Sequence, residues 1–236
     1  MKTISWMGYN WVTKKPDGGE FHLDNPHMYY NDSCVRTAND TMVLDAVYNP
    51  KRYVIDGKEY FPEIGIGLIT SKTKFYQGKF EICAMLPHGQ WNWPAFWLTG
   101  AKTWPPEIDI FEGYSNRNGS YRHFQWTKPC AKYAVRTNAW KNVAPNQKSF
   151  GQTQHKAFKH PENYNYFTCE WTKKDVKIFF NSHLVRKFDD KMMLSQMNDQ
   201  GMYVILNNGC RNDAKGLDGN YSSSQFLVKY FIYEPF

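Results

Sequence analysis

The segment Glu107-Ile108-Asp109-Ile110-Phe111-Glu112 puts three carboxylates within six residues, separated by large apolar side chains of the kind that build β-sheets. Charge inside such a run limits what the chain can fold into. Successive side chains of a strand point to opposite faces, so Glu107 and Asp109 share one face while Ile108 and Ile110 share the other. Glu112 stands five positions after Glu107, an odd offset that turns it away from its partners unless one extra residue is absorbed near Ile110 and Phe111. A β-bulge at that point returns all three carboxylates to one face.

Distance leads to the same expectation. Five strand steps of about 3.3 Å separate the outer Cα atoms by roughly 16 Å, and a bulge shortens this to about 13 Å, most of which two inward-leaning Glu side chains can cover. Carboxyls about 5.5 Å apart suit retaining glycoside hydrolysis, in which one attacks the anomeric carbon and the other protonates the leaving oxygen. Asp109, between them, raises the proton affinity of its neighbours and can share a hydrogen bond with whichever Glu is the nucleophile. A general acid working near neutral pH needs such a raised pKa. Taken alone, the six residues also suit an exposed acidic strand or a cation site, and their spacing assigns no roles.

The flanks narrow the choice. Trp93-Pro94-Ala95-Phe96-Trp97-Leu98, then Trp104-Pro105-Pro106, then the carboxylate segment resemble glycoside hydrolase family 16, whose bulged subgroup carries E-x-D-x-x-E and includes laminarinases, agarases and carrageenases. The order of the remaining runs is similar to that family over most of the chain. Met42 to Ala46, Gly67 to Lys72 and Gly78 to Glu81 look like the strands that precede the catalytic hairpins. Tyr166 to Thr172, Val176 to Asn181, Tyr203 to Asn207 and Phe226 to Phe231 look like the closing strands. The resemblance implies an all-β jelly-roll sandwich of two curved antiparallel sheets with an open substrate cleft. Carried over residue by residue, it implies Glu107 as nucleophile, Asp109 as its electrostatic helper and Glu112 as general acid and base. It implies no cofactor and no metal at the site, with room only for a structural calcium ion elsewhere.

At 236 residues the chain suits one large core, and the expected organisation is a single catalytic domain over residues 1–236. Aromatics make up 17% of it, enough for stacking platforms on sugars as well as for strands. A net charge of +7 permits an acidic partner, but the lysines are scattered and no nucleic-acid motif appears, so nucleic acid is not expected. Cys34, Cys83, Cys130, Cys169 and Cys210 are odd in number and without C-x-x-C spacing; Cys83 and Cys169 lie in apolar strand-like runs and read as buried thiols. No stretch has membrane-spanning length, and Met1 to Val12 lacks the apolar run and small-residue site of a signal peptide. The expectation is a monomer without membrane contact, secreted or extracellular, with any signal segment removed.

Along the chain, residues 1–40 read as loops and short strands closing one edge, with Trp6, Tyr9 and Trp11 within reach of the cleft but, as single aromatics, better suited to core or edge packing. From Met42 onward short apolar runs alternate with turn signals, and the one hint of helix is a turn within Asp189 to Asn198. In the strand from Gln90 to Leu98, alternation puts Trp93, Ala95 and Trp97 on one face and Phe96 and Leu98 on the other. Trp93 and Trp104 are expected to stack on sugars; Phe96 and Trp97 remain divided between core and cleft. Ser120 to Trp126 reads as a strand returning beside the carboxylates, which would bring Arg122, His123, Gln125 and Trp126 to the substrate. The polar stretch from Trp140 to Asn165 reads as a long loop on the cleft rim.

The first functional reading is a retaining endo-β-glycosidase acting on a polysaccharide, with a β-1,3(4)-glucan first on family frequency. The alternative within the enzyme class is an endo-β-galactanase on agar, carrageenan or porphyran-type chains or on host glycans, for which Arg117, Arg122, Lys128 and Arg136 could pair with sulfate. A non-catalytic carbohydrate-binding sandwich needs the aromatic residues but has no use for a matched acid and nucleophile.

Overall fold

A computed structural model describes residues 1–19, 25–115, 134–142, 145–156, 163–211 and 223–236. Two sheets, of nine strands each among the described residues, pack face to face as a jelly-roll β-sandwich. The first sheet runs in the order Thr3–Trp6, Tyr9–Val12, Leu68–Ser71, Met202–Cys210, Asn92–Gly100, Glu107–Gly113, Ala134–Lys141 and Lys148–Ser149, with Thr153–Lys156 also on Ala134–Lys141. The second runs His183–Phe188, Val176–Phe180, Asn165–Trp171, Gly78–Met85, Ser224–Pro235, Thr41–Tyr48, Ile64–Ile66 and Met28–Tyr30, with Val35–Ala38 on Thr41–Tyr48. Its pairing is antiparallel except between Met28–Tyr30 and Ile64–Ile66, which are parallel.

Alternation fills the space between the sheets. Phe96, Leu98, Ile108, Phe111, Val204 and Leu206 from the first sheet meet Phe80, Ile82, Phe167, Ile178 and Phe226 from the second, all fully or almost fully buried. The Phe111 ring lies 4.2 Å from that of Phe167 and 5.9 Å from that of Phe226, so the carboxylate strand is anchored in the core from behind. Trp6 and Trp11, on the edge hairpin, are buried. Cys83 and Cys169 are buried free thiols, as is Cys34.

Two sequence expectations change. The turn expected near Asp189 is a ten-residue helix, Lys191–Gln200; the Asp190 carboxylate accepts a hydrogen bond from the Met193 N–H at 2.9 Å, and Met193, Leu194 and Met197 seat the helix. Its apolar stripe is only three residues, too little to show a period. The polar stretch from Trp140 to Asn165 is partly strand, since Lys148–Ser149 and Thr153–Lys156 both extend the first sheet from Ala134–Lys141.

Candidate active site

The register of Glu107–Gly113 contains the bulge. On one side Phe96 pairs with Phe111 and Trp97 with Asp109, which leaves Ile110 without an opposite residue. On the other side Asp109 pairs with Asn138 and Glu112 with Arg136, three steps against two. One residue is absorbed, and Glu107, Asp109 and Glu112 come to the same outward face while Ile108 and Phe111 enter the core.

Residues in cross-strand register share a face, so the pairings draw the floor of the site. Asn207, Ala95, Glu112 and Arg136 form one row; Ile205, Trp97, Asp109 and Asn138 the next; Tyr203, Thr99, Glu107 and Trp140 the third. Trp97 therefore belongs to this face, where its Nε1–H donates to Asn207 Oδ1 at 2.8 Å. Phe96 belongs to the core.

Each outer carboxylate is held by an indole. Trp104 Nε1–H donates to Glu107 Oε2 at 2.8 Å, and Trp93 Nε1–H donates to Glu112 Oε1 at 3.0 Å. Tyr114 O–H donates to the same Glu112 oxygen at 2.6 Å. Gln152 Nε2 approaches Glu112 Oε2 at 3.4 Å, and its Oε1 accepts from Arg136 at 2.6 Å. The Tyr114 ring stacks on Trp93 at 5.5 Å, and the Arg136 guanidinium lies over it at 4.5 Å. The Arg211 guanidinium is 5.8 Å from the Tyr114 ring and 5.5 Å from that of Trp91. Trp104 is 44% exposed, beside Trp140 at 5.7 Å.

The loop carrying Trp104 is itself supported. Gln200, at the end of the helix, accepts hydrogen bonds on Oε1 from the backbone N–H groups of Lys102 and Thr103 at 2.7 and 2.9 Å. Gly100 begins this loop, and a Cβ there would stand 2.3 Å from the Thr103 carbonyl oxygen, so no larger residue fits.

Burial sets the proton affinity of the site. It pushes Glu107 up to about 7, against the Trp104 hydrogen bond, with repulsion from Glu112 adding and Lys15 opposing. Asp109 is driven well above the usual carboxylate range by burial and by the two flanking Glu residues, with Arg186 opposing. Burial also raises Glu112, but Tyr114, Trp93, Arg136 and Gln152 all pull the other way. The resemblance makes Glu112 the general acid and so asks for a raised proton affinity there; burial lifts both outer carboxyls, but Glu112 has more donors to its carboxylate and Glu107 has one.

Asn92–Gly100 and Ala134–Lys141 occupy the two sides of Glu107–Gly113; the expected strand from Ser120 to Trp126 lies outside the described residues. Arg122, His123, Gln125 and Trp126, like Arg117 and Lys128, lie outside the described residues. The neighbours on Ala134–Lys141 are Arg136, Asn138 and Trp140. Tyr114 was legible, since it follows Glu112 by two and the same alternation turns it to the site. Asn207, on Met202–Cys210, and Gln152, just before Thr153–Lys156, are distant in sequence and only the fold brings them near, so no local pattern announces them.

The model of the glycosyl hydrolases family 16 matches residues 24–222. A beta-glucanase of Rhodothermus marinus is 24% identical over 235 residues, covering 90% of this chain and 75% of that protein. The crystal structure of LamAcat from Zobellia galactanivorans superposes with a TM-score of 0.71 at 19% identity, covering 95% of this chain and 90% of the other. A structure from work on endo-acting O-glycanases, which prominent members of the human gut microbiota express to initiate mucin breakdown, gives a TM-score of 0.74 at 18% identity, covering 100% of this chain and 87% of the other. At these identities the structural matches speak for the fold, whereas the family model spans most of the chain, a stretch that includes Glu107–Gly113. The chain belongs to glycosyl hydrolases family 16 and is a glycosidase.

Proposed function

We propose that the protein is a retaining endo-β-glycosidase that cuts a β-1,3(4)-glucan by double displacement. The observation that carries this is the bulge at Ile110, which turns Glu112 to the face of Glu107 and Asp109. An oxygen of Glu107 attacks the anomeric carbon as the C–O bond breaks, and Glu112 gives its proton to the leaving oxygen. Water then attacks the glycosyl-Glu107 ester, losing its proton to Glu112 and releasing Glu107. Asp109, which burial and its neighbours keep protonated well above the usual range, adds no third charge between them. The assignment of nucleophile to Glu107 and acid to Glu112 rests on the family resemblance, because the hydrogen bonds around Glu112 favour its ionised form. Trp93, Trp97, Trp104 and Trp140 line one face and offer rings for consecutive sugars, which suits attack within a chain.

A glucan is the first substrate because a beta-glucanase of Rhodothermus marinus matches over 90% of this chain. Arg136 and Arg211 beside Tyr114 favour a second reading, a galactan or host glycan bearing acidic groups, for which guanidinium is the natural partner. The test is a panel of laminarin, mixed-linkage glucan, agarose, carrageenan and mucin glycans with sizing of early products. The cleaved polymer should yield mixed oligosaccharides whose first anomer, seen by proton NMR, is β. Glu107→Gln and Glu112→Gln should each lower turnover by several orders of magnitude. Azide should rescue Glu112→Ala with a β-glycosyl azide product. Rescue of Glu107→Ala with that product would exchange the roles, and an initial α anomer would exclude the covalent route.

A further inference from the structure

Glu112 has two oxygens in unlike surroundings. Oε1 accepts from Tyr114 O–H at 2.6 Å and from Trp93 Nε1–H at 3.0 Å, whereas among the described residues Oε2 meets only Gln152 Nε2 at 3.4 Å. An indole N–H donates and cannot accept, so the oxygen it points at is the unprotonated one. Tyr114 keeps its proton, because burial and the Glu112 charge push its phenol well above the ordinary range, and it remains a donor. Stacking on Trp93 and the Arg136 guanidinium above hold its ring in place.

We infer that Tyr114 is a positioning residue, which with Trp93 occupies Glu112 Oε1 and leaves Oε2 as the atom that carries and delivers the proton. This rests on the double-displacement reading above. In the first step the proton leaves Oε2 for the glycosidic oxygen as the C–O bond breaks; in the second, Oε2 takes a proton from the attacking water. Arg136 completes the arrangement: by donating to Gln152 Oε1 it turns the amide so that Nε2, a weak and distant donor, faces Oε2.

The charged and titratable groups facing Glu112 are Glu107 and Asp109 along its own strand, Tyr114 two residues on, and Arg136 from Ala134–Lys141. Asn92–Gly100 offers only Trp93 and Ala95, both uncharged, and Gln152 is neutral. Arg186 and Lys15 act on Asp109 and Glu107 instead. Among the groups named, Tyr114 is the donor that can be removed with a single oxygen. Tyr114→Phe keeps the ring, its stack and its cation, and takes away one hydrogen bond to the ionised form together with the 3.4 Å contact that the phenol oxygen accepts from Gln152 Nε2.

The expected result is a Glu112 that binds its proton more tightly. Carboxyl carbon NMR on protein labelled at Glu, with Glu112 assigned by its loss in Glu112→Gln, should show its titration moved up by about one pH unit in Tyr114→Phe. Trp93→Phe, which deletes the other donor to Oε1, should move it in the same direction. These readings need no substrate. On whichever polymer of the panel is cleaved, the basic limb of the kcat/KM profile should move up with the resonance. An acidic limb that moves instead, with the resonance shifted, leaves the Tyr114 inference standing and makes Glu112 the group that must be ionised, which defeats the role assignment alone. An unmoved Glu112 titration in both variants, with wild-type melting behaviour, overturns the inference.

Discussion

At the scale of single residues, the site is a set of carboxyls held against their preference, and this has a sign. Glu107 titrates at about 7 in the folded protein against an ordinary value of 4.5. Between those values the folded state binds more protons than the unfolded chain, so the stability this group contributes is complete below pH 4.5 and is lost as pH rises through 7. Glu107→Gln removes the ionisation while keeping the shape and the acceptor for Trp104. The variant should melt higher than the parent above neutral pH, by about 2–4 °C for each kcal/mol of relieved penalty, with the difference narrowing toward pH 4.5. A difference that grows on acidification would refute this. Glu112 shows the opposite design: Tyr114, Trp93, Arg136 and Gln152 offset its burial, so the two outer carboxyls differ in support more than in depth.

At the scale of elements, function depends on two local departures from regularity. The bulge is one: without Ile110 opposite nothing, Glu112 would face the core where Phe111 now meets Phe167. The other is the junction of the helix end with the loop before Glu107. Gln200 accepts two backbone N–H groups there. Gln200→Ala leaves both donors without this partner, at a cost of about 1–3 kcal/mol, and frees Trp104 to wander from Glu107. Chemical denaturation should register the stability loss, and steady-state kinetics should show KM rising more than kcat falls. Unchanged KM with lowered stability would confine Gln200 to a structural role.

At the scale of the whole molecule, the two sheets meet through rings that lie directly behind the carboxylates. Phe111 touches Phe167 and Phe226 across the interface, so the residue adjoining Glu112 is also a keystone of the core. Phe111→Ala should cost about 3–5 kcal/mol of stability, seen as a lowered denaturation midpoint. Activity at low temperature should fall with it, because the cavity opens beneath the bulge; full activity in the folded fraction would separate core from site. What the sequence alone determined was local. Alternation made strands, the odd offset of Glu112 demanded a bulge, and the order of motifs named the family, since each depends on neighbours along the chain. Tertiary structure alone decided that Ala134–Lys141 lies beside Glu107–Gly113. It also brought Gln152, Asn207 and Gln200 to the carboxylates and their loop. Strand order in a sheet is set by how the whole apolar surface is best covered, which no window of residues contains, and the raised proton affinity of Glu107 follows from that same burial.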